Sequence, residues 1–303
     1  MAYKCVVLTK QVPDTKKITG DVMNDDGTVK RSALPAIFNP EDLNALELAL
    51  QIKDEFGGHV TVVSMGLPAA SEVLRDSLYR GADEAILVTD RGCAGSDTLA
   101  TSYILSCAVK KLDYDIVLCG RQAIDGDTAQ VGPQLAEKLG ITQMSYVEKL
   151  ENLTEQEITV RRNIGNGWQR TKSKLPVLLT VIGDANTPRV AAARKLMKYK
   201  NAAAPIEVGQ KFKADNPDAD DETVKGFVAE RCVELERKGL TIKQWDLEFL
   251  EADRDWCGIA GSPTKVHRIQ SVVLTAKESK EIEPTEEGIS DLIHELIEDR
   301  TIA

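Results

Sequence analysis

The sequence contains no CxxC pair and no cysteine–histidine cluster. Its six cysteines, Cys5, Cys93, Cys107, Cys119, Cys232 and Cys257, are scattered, which excludes the usual zinc and iron–sulfur ligand spacings. They read instead as reduced, mostly packed thiols in a reducing, cytoplasmic compartment. Only three histidines are present, His59, His267 and His294. They lie in unrelated elements, so each reads as a surface or packing residue. No apolar run approaches the about 18 residues of a membrane span, and the opening MAYKCVVLTKQVPD is too short to be a signal peptide and reads as a first strand. Neither GxGxxG, GxxxxGKS nor GxSxG occurs. Gly165 and Gly167 sit in an apparent hairpin, not at a strand-to-helix turn. The net charge of -10, with no long basic block, disfavours binding to a nucleic-acid backbone.

What is present is the grammar of an α/β protein. Hydrophobic residues make up 42% of the 303 and charged residues 28%, an ordinary globular balance. Tyr3 to Thr9 reads as a buried strand, followed by a loop whose DVMNDDGTVKRS has the Asp-Gly signal of a hairpin. FNPEDLNALELALQIKDEFGG predicts a helix with Asn39 as its cap, Pro40 in the first turn, Leu43, Leu46 and Leu50 on one face, and Gly57 and Gly58 at its end. HVTVVSM, EAILVTD and DIVLCG predict three further strands. Between them PAASEVLRDSLYRG, closed by Gly81, and SDTLATSYILSCAVKK, with Ser96 and Asp97 as cap candidates, predict helices. Another helix is expected from about Ala129 to Leu139. This alternation predicts a mostly parallel, Rossmann-like sheet covered by helices on both faces. After Gly140 the pattern changes: QEITVRRN and GWQRTKS predict a hairpin, LPVLLTVIG a strand returning to the sheet, and DADDETVKGFVAERCVELERKG a charged helix. DRDWCGIAGSPTKVHRIQSVVL and the amphipathic TEEGISDLIHELIEDR close the chain.

Ligands of open parallel sheets sit beyond the carboxyl ends of the strands, where chain order reverses. The loops expected there are TKQVPD, SMGLP, TDRGCAGSD and CGRQAIDGDTAQVGP. Their Gly, Pro, Asp and Thr content exposes backbone N–H groups, as a nucleotide pocket requires. In the last loop Gly120 and Gly126 permit tight backbone geometry, and Asp125, Asp127 and Thr128 can cap the next helix, whose N-terminus attracts phosphate. Arg121 offers a charged fork. Simple capping would account for one of these residues but not for the whole polar loop. Asp125 and Asp127 are crowded into a helix start, which favours capping or hydroxyl recognition over paired-carboxylate hydrolysis.

CGRQAIDGDTAQVGP resembles the signature of the beta subunit of electron-transfer flavoproteins. VLTKQVPD, FNPEDLNALELAL, SMGLPAASEVLRDSLYRGADEAILV, SDTLATSYIL, LPVLLTV and ARKLMKYKN match the same family in the same order. The resemblance spans roughly residues 1 to 206 and resumes weakly at GSPTKV and the terminal helix. It implies a partner alpha subunit carrying the electron-delivering FAD. In ordinary members the beta-subunit pocket holds AMP. In electron-bifurcating members it holds a second FAD that takes a hydride from NADH, sending one electron to ferredoxin or flavodoxin and the other, through the alpha-subunit FAD, to an acyl-CoA dehydrogenase-type enzyme. DGDTAQVGP and VPDT resemble the bifurcating group, with Gly126 leaving room for the larger ligand; AMP as a structural nucleotide is the alternative. By the same resemblance the pocket residues are Leu8; Asn39, Pro40, Glu41 and Asp42; Met65; and Gly120, Arg121, Gln122, Ala123, Ile124, Asp125, Gly126, Asp127, Thr128, Ala129, Gln130 and Val131. Asn39 also keeps its reading as a cap. No side chain is implied as a catalyst.

Leu196 matches the leucine of the family's recognition loop, which inserts into the dehydrogenase; the plain alternative for this Leu-Met pair is local core. The resulting domain organisation is an α/β flavin or nucleotide domain over 1–195, including the hairpin, and a partner-recognition loop over 196–210. A charged helical insertion follows over 211–245, absent from compact family members, and then a C-terminal arm on the alpha subunit over 246–303. A nucleotide-sensing protein of similar fold would need neither the recognition loop nor the arm.

Overall fold

The computed structural model describes residues 2–14, 35–264 and 281–298. The hairpin expected in DVMNDDGTVKRS and His267 lie outside the described residues. Seven parallel strands form most of a nine-stranded sheet: β1 (Tyr3–Leu8), β4 (Gly58–Met65), β5 (Glu84–Val88), β6 (Ile116–Gly120), β7 (Thr142–Leu153), β10 (Val177–Val181) and β11 (Lys243–Trp245). The two antiparallel strands are β8 (Glu157–Asn163) and β9 (Trp168–Lys174). The order across the sheet is β11-β5-β4-β1-β6-β10-β7-β8-β9. A small separate ribbon pairs β2 (Gln11–Pro13) with β3 (Ala36–Phe38). The α/β reading of the sequence is therefore correct, and LPVLLTV takes an interior place between β6 and β7.

Alternation along the strands builds a core on each face, because successive side chains point to opposite sides. Cys5 and Val7 of β1 and Ile116 and Leu118 of β6 enter one core, under α1 (Pro40–Phe56) and α2 (Ser71–Arg80). Val6, Leu8, Val117 and Cys119 enter the other, under α3 (Thr98–Lys110) and α4 (Val131–Leu139). The Leu46 and Leu50 stripe of α1 is fully buried, as its spacing predicts.

Several features differ from the sequence reading. β7, whose TQMSYVEKLENL has no clean alternation, forms a long irregular strand with two register shifts and a left-handed residue at Tyr146, φ 59°. β11 is a three-residue edge strand, too short to leave a pattern. Leu196 lies on a short helix, α5 (Ala193–Tyr199), in place of the expected loop, and α5 packs on α2. The span expected as a charged helical insertion, 211–245, takes in the end of α6 (Pro205–Asp215) and the whole of α7 (Asp221–Arg237), which form a helical hairpin with Phe212 and Phe227 stacked at 4.1 Å. Residues 246–264 fold back on the second core, where Leu247, Leu250 and Cys257 are buried. The terminal helix α8 (Glu286–Glu298) leaves Ile289, Ile293 and Ile297 exposed along one face. No described helix is long and apolar enough to cross a membrane, and all six cysteines are free thiols.

One ion pair fixes the segment that leads into α5. Glu47 of α1 is 5% exposed and accepts from Arg189 through Nε at 2.8 Å, the second guanidinium branch at 3.1 Å and the Arg189 amide at 3.0 Å. Arg189 also reaches Asp54 at 2.8 Å. Removing the cation from a buried carboxylate leaves an uncompensated charge. Arg189→Ala is therefore expected to destabilise the fold by about 2–4 kcal/mol, measured by urea unfolding. A loss near zero would show that the pair is only a surface contact.

Candidate nucleotide site

β1, β4 and β5 run out from β1 in one direction and β6 then returns to its other side, so the strand order reverses between β1 and β6. Such a reversal opens a crevice at the carboxyl ends. A cleft of about 410 Å³ lies there, within the usual range for small-molecule sites. Its floor is Leu8, Thr9, Cys119 and Gly120. One wall is the loop into α4, and the other is formed by Met65, Cys93, Leu105 and the start of α3. A larger groove of about 1310 Å³ between α6, α7 and Arg75 lies away from this reversal point and is crossed by the Arg75–Glu207 ion pair, at 2.9 Å. Position at the strand ends favours the smaller cleft as the nucleotide site.

Buried polar groups of α1 hold the cleft open. Asp42, 6% exposed, accepts from the Lys10 amide through Oδ2 and from the Gly120 amide through Oδ1, each at 2.9 Å. It thereby latches the end of β1 to the end of β6. Burial pushes its carboxyl up to about 7, against the opposing pull of the Gly120 amide, the Asn39 side chain and Lys10. Gly120 is required here: a Cβ would lie 2.6 Å from Asp42 Oδ1 and 2.7 Å from the Asp42 amide nitrogen. Asn39, fully buried, precedes α1 but makes no side-chain cap. Its amide instead donates to the Gln122 carbonyl at 2.9 Å and its oxygen accepts from the Ile124 amide at 3.1 Å, so it pins the loop.

The capping expectation for the loop is corrected in the same way. α4 starts at Val131, not Ala129, with Gln130 at its cap position and no side-chain cap bond. Asp125 pairs with Lys10 Nζ, both carboxylate oxygens at 2.8 Å. Asp127 accepts from Gln122 Nε2 at 2.9 Å, and Thr128 caps nothing. Nor is Arg121 a free fork: it pairs with Glu41 at 3.0 Å and lies 5.5 Å from the centre of the Tyr146 ring. Gly126 does not use a left-handed backbone, and a Cβ there would meet nothing within 4 Å. Of the residues named from the sequence, Leu8, Asp42, Met65, Gly120 to Ala123 and Gly126 to Val131 line the cleft. Asn39, Pro40, Glu41, Ile124 and Asp125 are not among the residues that line it, and neither is Leu196, on α5.

Sequence reasoning missed the strain in the loop. Asp127 and Ala129 adopt φ 48° and 53°, a left-handed conformation that costs a non-glycine residue on the order of 1 kcal/mol. Followed by right-handed Gln130, φ -101° and ψ -31°, Ala129 gives the alternation of an anion-binding nest. The amides of Thr128, Ala129, Gln130, Val131 and Gly132 have no acceptor among the described residues. The residues thus fit a nucleotide: unpaired amides at a helix start for phosphate, an apolar wall for a ring, and a buried Thr9 hydroxyl without a partner. Lys10, Thr9 and Cys93 were also missed; Lys10 stands in VLTKQVPD, two residues beyond the strand end, and its position was the available signal.

The strand order and the reversal-point cleft place the chain in the doubly wound α/β class, with an amide nest suited to an anionic ligand. The family model of the electron transfer flavoprotein domain matches residues 26–209. The electron transfer flavoprotein subunit beta of Clostridium acetobutylicum is 39% identical over 297 residues, covering 98% of this chain and 99% of that protein. Protein FixA of Sinorhizobium fredii is 38% identical over 299 residues, 96% and 91% of the two chains. The caffeyl-CoA reductase-Etf complex subunit CarD of Acetobacterium woodii is 45% identical over 196 residues, 64% and 74%. The chain belongs to the electron transfer flavoprotein family, among its beta subunits.

Two outcomes test the latch. Asn39→Ala removes both bonds to the loop and is expected to cost about 1–3 kcal/mol, with much faster hydrogen exchange at the Ile124 amide. Unchanged exchange would mean the loop is held elsewhere. For Asp42 the folded-state pKa is raised, so its neutral form favours folding at low pH and that contribution is lost as pH rises from about 4 to about 7. The unfolding free energy of the native chain relative to Asp42→Asn is expected to fall over that window, by up to about 1.4 kcal/mol per pH unit. A constant difference would place the Asp42 carboxyl at its ordinary value.

Proposed function

We propose that the chain is the beta subunit of a cytoplasmic, electron-bifurcating electron-transfer flavoprotein, with FAD in the cleft at the β1–β6 reversal. Its partners in this reading are an alpha subunit carrying a second FAD, a ferredoxin or flavodoxin, and an acyl-CoA dehydrogenase-type enzyme. The FAD would supply hydride acceptance from NADH and onward transfer of single electrons. The chain itself binds and orients: the 128–132 amides take phosphate, the latch of Asp42 sets the spacing of the β1 and β6 ends, and Met65 and Leu105 exclude water from one wall.

Open space at Gly126 is the observation that carries the choice of FAD over AMP. A side chain at this position would grow into the region a larger nucleotide occupies, and glycine leaves it free. The relative from Acetobacterium woodii, named for a caffeyl-CoA reductase complex, supports an acyl-CoA-type partner. Leu196, 39% exposed, and Met197, 63% exposed, sit on α5 with Arg194, Lys195 and Lys198 around them. In this reading they are the apolar anchor for the dehydrogenase.

The test is to purify the alpha–beta complex, release its nucleotides with acid and count them. Two FAD per heterodimer and no AMP are expected; one FAD with one AMP would replace this reading by the structural-nucleotide one. Gly126→Asp is expected to keep the fold, since nothing opposes its Cβ. It should lower FAD occupancy of the beta-chain site at least about tenfold, through a carboxylate placed beside the phosphates. Unchanged flavin content would show that the loop does not line the FAD site.

A further inference from the structure

The cleft is poor in positive charge for an anion site. Three carboxylates line it, Asp42, Asp97 and Asp127, against two cations, Lys10 and Arg121. Each carboxylate is engaged: Asp42 with backbone amides, Asp127 with Gln122, and Asp97 with the Leu99 and Ala100 amides at the start of α3 and with Thr264. Arg121 is held by Glu41 and Tyr146. Lys10 differs. Its amide is fixed by Asp42, but its ammonium, on a side chain 49% exposed, is held among the described residues by Asp125 alone. Such a pair is worth little where solvent reaches it, and a lysine stem turns easily. The residue before it is Thr9, 6% exposed, which lines the cleft and whose buried hydroxyl has no partner among the described residues. A buried orphan hydroxyl beside a loosely held cation, in one cleft with a run of unpaired amides, marks the place of an anionic polar ligand.

We propose that Lys10 is the phosphate-binding cation of the cleft and that Asp125 is its competing counter-ion, releasing it when the phosphates of a nucleotide arrive. This rests on the cleft being the nucleotide site of the proposed function, and holds for AMP as for FAD. Exchange conserves charge pairing: one Lys–carboxylate pair is replaced by one Lys–phosphate pair, and Asp125 passes to water. Nucleotide affinity is then set by the difference between two charge-assisted contacts, and Asp125 lowers it. A clasp that merely closed the loop would make both residues favourable to binding, so the two cases differ in sign.

The experiment uses the alpha–beta complex stripped of its beta-site nucleotide and titrated by calorimetry with AMP, FAD and adenosine. Lys10→Met is expected to weaken AMP and FAD by about tenfold or more, and Asp125→Asn to strengthen both by about threefold to tenfold. Adenosine, which has no phosphate, should respond to neither. Losses from both substitutions would overturn the proposal in favour of a clasp, as would affinities unchanged by either. A gain of adenosine binding in Asp125→Asn equal to that of AMP would also overturn it, since phosphate would not be what Lys10 reads. Thermal unfolding of the nucleotide-free variants separates these outcomes from loss of fold. If the signs are opposite for AMP while FAD fails to bind, the counter-ion exchange stands and the FAD reading falls.

Discussion

The carboxylate of Asp42, buried between two strand ends, is the constraint on which the site depends. At a reversal point β1 and β6 lose their next pairing partners, and their last amides must find acceptors elsewhere because buried N–H groups are rarely left alone. Asp42 supplies both acceptors from the third position of α1, in its first turn. Three consequences follow. The helix start must lie against the end of β6, which leaves no room for a Cβ at Gly120. Asn39, three residues before Asp42, is then placed to hold the loop, and it does so in preference to capping its own helix. The loop, pinned at Gln122 and Ile124, reaches α4 through two left-handed residues, Asp127 and Ala129, and residues 126–132 line the cleft.

That strain is backbone strain at a site, and it has a direct electrostatic use. The first amides of a helix have no acceptor within it, so Val131 and Gly132 at the start of α4 are open in any case. The left-handed residues Asp127 and Ala129 lie directly before that helix start, and together they make a run of five amides, Thr128 to Gly132, without acceptors among the described residues. An anion is what such a surface lacks. The close contact of Gly132 with β10 and β6 serves the same end. A Cβ there would meet Thr180 Cγ2 at 2.8 Å and Cys119 Sγ at 2.9 Å, so glycine lets the start of α4 sit down on the strand ends and bring its amides to the cleft.

The strands and helices of the first 140 residues were legible because each has a strong period or a clear stop. Leu43, Leu46 and Leu50 mark one face of α1, and Gly57, Gly81 and Gly140 end helices with positive φ. Asp97 could be recognised as a cap, and it accepts from Leu99 and Ala100. The loop composition also pointed to the right end of the sheet. The partners of its polar residues were not legible: Asn39 and Gln122 are 83 positions apart, and Lys10 and Asp125 are 115 apart. A local rule assigns such residues to the nearest helix end, whereas the fold gives them to each other. β7 and β11 failed for another reason. One bends at Tyr146 and changes register, the other is three residues long, and neither leaves a period to read.

The thiols and buried carboxylates of the cleft are held in structural roles. Burial pushes the Cys119 thiol far above its ordinary value, with Asp42 and Glu41 adding to the effect, so it is not a thiolate nucleophile. Burial also pushes Cys93 up to about 12, with the charge of Asp90 adding to it. At Asp97 burial works to raise the pKa, but hydrogen bonds from Thr264, Ala100 and Leu99 outweigh it and hold the carboxyl below its usual range. It remains an ionised cap, not a proton donor. Asp42 titrates near neutrality, yet both of its oxygens are occupied by backbone amides, and using it as an acid or base would undo the latch that shapes the cleft. These four groups are thus bound up in the architecture of the cleft, as packing residues, a helix cap and a latch, and under the proposed function they would position a cofactor that supplies the reaction.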